Sequence, residues 1–141
     1  MEIARIWFDF KGRMNRGKYW LVTVANTFII VAAILIAIVT DSWALGVLAG
    51  LIFLVLIMSG IAAGVKRLHD RNKSAWWLLL FYLVPSILQA AGNHAPDIGL
   101  VFGLIGFAVS AWAFVELGCL RGSIGGNPYG PDPVAPKPAQ H

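Results

Sequence analysis

Charge is what this chain has least of. Of its 141 residues only 13% are Asp, Glu, Lys or Arg, about half the share of a typical soluble domain. Meanwhile 58% are apolar and the mean hydropathy is +0.73. An ordinary soluble fold is excluded. The single cysteine, Cys119, excludes an intramolecular disulfide; with nothing nearby to activate its thiol, it reads as a small packing residue. Catalytic signatures are missing as well: there is no H-E-x-x-H pair, no G-x-S-x-G elbow and no phosphate-binding glycine loop. The histidines His69, His94 and His141 are scattered without the spacing of metal ligands. No enzymatic activity, no cofactor and no metal are expected.

What the chain does have is long uncharged stretches. A membrane-spanning helix needs roughly 20 apolar residues to cross a hydrocarbon core of about 30 Å. Residues 19–40, 42–65 and 74–96 carry no Asp, Glu, Lys or Arg, and from Ile98 to Leu120 the only charge is Glu116. Runs such as Phe28 to Val39 and Leu51 to Met58 are apolar on every side, whereas barrel strands alternate. The expected fold is therefore all-α, a four-transmembrane-helix bundle with spans at about 20–39, 43–65, 75–91 and 98–120. Residues 1–133 would form one domain and 134–141 a flexible Pro-rich tail. The first apolar run is too long for a signal-peptide core and is followed at once by another span, so a retained N-terminus is expected.

The positive charges give the orientation. Arg5, Lys11, Arg13, Arg16 and Lys18 precede span one, Lys66, Arg67, Arg71 and Lys73 lie between spans two and three, and Arg121 and Lys137 follow span four. The other connections, Thr40 to Ser42 and Gly92 to Asp97, contain no Lys or Arg. The positive-inside rule places both termini and the middle loop in the cytoplasm. Short basic clusters beside a membrane suit anionic lipid headgroups of the bilayer rather than nucleic acid.

Helices in lipid associate through close packing of small residues and through polar contacts. Gly46, Gly50, Gly60 and Gly64 share one stripe of span two, and Gly99, Gly103 and Gly106 share one of span four; the two stripes are expected to pack against each other. Pro85 should kink span three or end it early. Thr23, Asn26 and Thr27 should turn inward, and Trp20, Trp43, Trp76 and Trp77 should anchor span ends at the interface. Ile3, Ile6, Trp7 and Phe10 fall on one face of a short N-terminal interfacial helix. From Gly122 the chain is too rich in Gly and Pro for a regular helix.

Three stretches carry a resemblance. They are Phe10-Lys11-Gly12-Arg13-Met14-Asn15-Arg16-Gly17-Lys18-Tyr19-Trp20, the loop from Lys66-Arg67-Leu68-His69-Asp70-Arg71 to Ser74-Ala75-Trp76-Trp77, and Gly126-Asn127-Pro128-Tyr129-Gly130-Pro131-Asp132-Pro133. In order and spacing the chain resembles the DUF805 family of small bacterial inner-membrane proteins, a domain of unknown function. The resemblance implies a bacterial cytoplasmic-membrane location and a helical bundle, and no activity. Members often carry Glu just before the Tyr-Trp pair, where this chain has Lys18, and a Glu-Asn-Arg-like triplet where it has Gly126-Asn127-Pro128. Any ion pair those glutamates make is absent or rebuilt here.

The inferred topology brings these stretches to one face, so Arg13, Arg16, Tyr19, Arg67, His69, Asp70, Asn127 and Tyr129 form the candidate site. Two readings are open for it. In one, the groups satisfy each other: Asp70 pairs with an arginine or with His69, and Asn127 and Tyr129 tie down the tail. In the other, Arg13, Arg16 and Arg67 keep donors for a phosphate-bearing headgroup. Glu116, an intramembrane carboxylate near the cytoplasmic end, is expected to pair with Arg121, Arg67 or Lys66. The leading functional expectation is a structural module that binds lipid, a membrane-protein partner or a second copy of itself; the alternative is a small transporter or channel subunit. Basic and aromatic residues before spans one and three, with glycine stripes on the spans that follow, hint at parallel repeats.

Overall fold

The computed structural model describes residues 7–135, and these form four helices without a β-strand. Helix α1 runs Arg16–Val39 and is started by Asn15, whose side chain accepts the Lys18 amide proton at 2.9 Å. It ends where the Thr40 hydroxyl donates back to the Ile36 carbonyl at 2.7 Å. The chain reverses within three residues, with Asp41 at φ +47°, and Ser42 caps α2, Trp43–Asp70. At 28 residues, α2 is about 42 Å long, more than a hydrocarbon core requires. Its last turns, Lys66 to Asp70, are helix where the sequence suggested loop.

Helix α3 covers Trp77–His94 and α4 covers Pro96–Phe114, with proline in the first turn where a missing amide proton costs nothing. Pro85 lies inside α3, which continues to His94, so the early end expected at this proline does not occur. A π-helical turn, Val115–Cys119, completes α4. Three stretches are long and apolar enough to cross a membrane: Arg16–Val39, Trp43–Asp70 and Asp97–Cys119. The shorter α3 carries Gln89, Asn93 and His94 in its last turns, and it falls outside that group.

The helices form two hairpins, α1 against α2 and α3 against α4, joined mainly where the π turn meets α1 and α2 and where α2 meets α3. There Val65, Leu68, Leu78, Phe81 and Leu117 make one buried cluster, and Met14, Val22 and Ala63 make another. The glycine stripes do not meet as expected. A methyl added at Gly46, Gly50, Gly60 or Gly103 would find no atom within 4 Å. The others pack elsewhere: Gly64 against Leu78, Gly99 against the Gly92 carbonyl and Gly106 against Pro85. Hairpin pairing explains this, because each helix is covered by its sequence neighbour before it can reach a distant one.

Asn26 turns inward as expected and donates to the Ser59 hydroxyl at 3.1 Å and the Leu56 carbonyl at 3.4 Å, while its own oxygen finds no donor. Thr27 instead bonds its own helix at the Thr23 carbonyl. Of the tryptophans, Trp43 and Trp76 are exposed in the manner of interfacial anchors, but Trp77 packs edge-on against Trp112 and Trp20 against Phe114. The N-terminal amphipathic helix rests on residues outside those described, apart from Trp7 and Phe8, which are helical, and Phe10, which is not; the tail beyond Ala135 also lies outside.

Candidate functional site

A helix that ends leaves its last carbonyls without partners. At the end of α4 the π turn turns them outward, and side chains from the other helices take them one after another. Arg67 Nε donates to Leu117 O at 2.7 Å, Trp20 Nε1 to Gly118 O at 3.0 Å, and Arg16 Nη1 to Cys119 O at 3.2 Å. Arg67 Nη2 donates to Leu120 O and Arg71 Nη1 to Arg121 O. Cations at this end also meet the negative pole of the helix dipole. Gly118 is needed for the approach, since a Cβ there would lie 2.9 Å from the Trp20 ring.

Arg67 is fully buried, and its third nitrogen, Nη1, reaches Asp70 Oδ2 at 2.6 Å. The other Asp70 oxygen accepts from Arg13 Nε at 3.0 Å and lies 3.0 Å from its Nη2. Two guanidinium groups thus share one carboxylate that is 2% exposed. The surplus positive charge is met by backbone carbonyls: Arg13 Nη1 donates to Gly125 at 2.6 Å and Gly130 at 3.3 Å, and Nη2 to Ser123 at 2.6 Å. Gly122 has to be glycine, because a side chain there would overlap the Asp70 carboxylate.

The segment after the π turn is strapped onto the same place. Ser123 donates its amide to the Asp70 carbonyl at 2.8 Å, and Asn127 Nδ2 donates to the His69 carbonyl at 2.8 Å. Tyr129 stacks on His69 with ring centroids 4.0 Å apart and planes 6° from parallel. His69 faces the Gly12 carbonyl at 3.2 Å through Nδ1; it is not the hydrogen-bonded partner of Asp70 that the sequence suggested, because both carboxylate oxygens are taken by arginine. Gly12, at φ +85°, lets the entry loop present that carbonyl. Asp132 closes the strap by accepting from Val134 N at 2.9 Å and Gly125 N at 3.1 Å. These two amides hold its carboxyl below the ordinary carboxylate pKa.

Of the eight candidate residues, Arg13, Arg67, His69, Asp70, Asn127 and Tyr129 converge. Arg16 stands at the rim, exposed, with one bond to Cys119. Tyr19 packs against both buried clusters instead. Every nitrogen of the Arg13 and Arg67 guanidinium groups makes at least one bond within the chain. Glu116 pairs with Arg71 and Lys73, each 3.0 Å from Oε1, rather than with Arg121, Arg67 or Lys66. The helical continuation of α2 to Asp70 turns Arg71 and Lys73 toward the π turn. Lys73 also lies over the Trp77 ring, 4.8 Å from its centre. Arg71, Lys73, Gly122 and Ser123 escaped the sequence reading; only the small spacing of Arg71 and Lys73 from Asp70 could have pointed to them.

The family model described as a protein of unknown function, DUF805, matches residues 7–131, the stretch containing all of these contacts except those of Asp132. The chain belongs to the DUF805 family. It is similar to the inner membrane protein YhaI of Escherichia coli K12, at 30% identity over 94% of this chain and 92% of that protein. It is also similar to the inner membrane protein YhaH of the same strain, at 27% identity over 94% and 93%, and to its uncharacterized protein YiiR, at 31% over 94% and 90%. No solved structure matches. With its apolar helices, this DUF805 chain is an integral membrane protein.

Proposed function

We propose that the protein is a non-enzymatic structural module of the bacterial cytoplasmic membrane, with four spans and both termini in the cytoplasm. The observation that carries this reading is the internal pairing of the Arg13–Asp70–Arg67 cluster: every guanidinium nitrogen there already bonds to another part of the chain. A cluster of this kind fixes three distant parts of the chain to each other. Anionic headgroups are then met by the exposed Lys11, Arg16, Lys18 and Arg121, which lie around the cluster.

Helix α3, at about 27 Å, is long enough to return the chain across a core of about 30 Å with its ends in the interface. The basic residues at one end of the hairpins and their absence at Asp41 and Ala95 support the orientation. Transport finds less support, because the carboxylate within a span, Glu116, is held by two cations. Fusions at residues 41, 72, 95 and 135 test the arrangement. Alkaline phosphatase should be active at 41 and 95, and green fluorescent protein should fluoresce at 72 and 135; phosphatase activity at 72 or 135 would contradict it.

A further inference from the structure

Between the hairpins lies a cavity of about 220 Å³ whose wall mixes apolar and hydroxyl groups: Tyr19 and Thr23 of α1, Phe53, Ile57 and Gly60 of α2, and Tyr82 of α3. We propose that it binds the glycerol-ester region of a phospholipid from the cytoplasmic leaflet, with the phenol of Tyr82, joined by Tyr19, donating to an ester carbonyl. The proposal goes beyond the structural module, although it rests on the spans and orientation given above.

Depth is the first argument. Tyr19 and Thr23 are the fourth and eighth residues of α1, and Tyr82 is the sixth of α3, which puts them about 5–10 Å below the helix starts. In a glycerolipid the ester carbonyls come next below the phosphate, and here the exposed Arg16 sits about one turn above Tyr19, with the long exposed side chain of Lys18 between them to reach phosphate level. Hydrogen bonding is the second. The Tyr82 side chain is 55% exposed, yet nothing among the described residues accepts its hydroxyl proton. At a depth where water is scarce, such a donor needs an acceptor, and phenols suit an acceptor-only group such as an ester carbonyl. Room for the chain below is the third: Phe53 and Ile57 line the wall, and a Cβ built at Gly60 would meet no atom within 4 Å.

The test compares two lipids with the same headgroup, diester phosphatidylglycerol and its dialkyl-ether analogue, which lacks the carbonyls. Each is added to delipidated full-length protein, and bound lipid is counted by native mass spectrometry. The wild type should retain the diester about fivefold better, the effect of roughly one net hydrogen bond. Tyr19→Phe with Tyr82→Phe should abolish that difference, and Gly60→Leu, which fills open space and leaves the helix contacts intact, should lower retention of both lipids. Equal retention of diester and diether by the wild type would overturn the proposal, as would undiminished retention by Gly60→Leu with an unchanged melting temperature. The fusion experiment reads orientation independently, so failure of the topology and failure of the lipid site are distinguishable.

Discussion

Asp70 and Asp132 use the same chemistry at two depths. Asp70 is buried under Gly122 between two arginines, and removing one partner from such a pair costs about 3–5 kcal/mol. Asp132 is at the surface and is held by backbone amides alone. Its carboxyl titrates below the ordinary value, so the strap gains stability from it above about pH 4 and loses that contribution as pH falls through the lowered folded-state value. Amide exchange at Gly125 and Val134 should therefore accelerate on acidification below pH ~4. Asp132→Asn should remove that acid response; a variant that keeps it would assign the response to another group. The importance of Asp70 was legible in the sequence because it stands among basic residues in a loop-like run. Which arginines it takes was not, because Arg13 arrives from a segment 57 positions away.

At the level of helices, the apolar runs foretold all four, but the ends and the neighbours less well. Sequence periodicity shows that glycines share a face without showing what the face meets. Here Gly64 lies under Leu78, whose Cδ2 would be 2.9 Å from an added Cβ, whereas Gly60 faces the open cavity. Gly64→Ala should lower stability by about 1–3 kcal/mol through overpacking, while Gly60→Ala should change it by less than about 0.5 kcal/mol. Thermal unfolding in one detergent compares the two, and equal losses would restore the glycine stripe as a continuous packing seam. The π turn at Val115–Cys119 was hidden from sequence because donors from α1, from α2 and from Arg71 just after it claim carbonyls 117–121.

For the whole molecule, two hairpins are held at one end by ties between the entry loop, the end of α2 and the C-terminal strap. Charge placement already indicated that these three segments share a side. That they neutralise one another, leaving Lys11, Arg16, Lys18 and Arg121 facing outward, was not legible, because the pairing joins segments far apart in the chain. The cluster acts as a lock between separate parts of the chain. A double-mutant cycle on Arg13→Gln and Asp70→Asn, read as unfolding free energy in a fixed detergent, tests it most directly. The lock predicts a coupling of at least about 1 kcal/mol between the two sites; losses that add to within about 0.5 kcal/mol would contradict it.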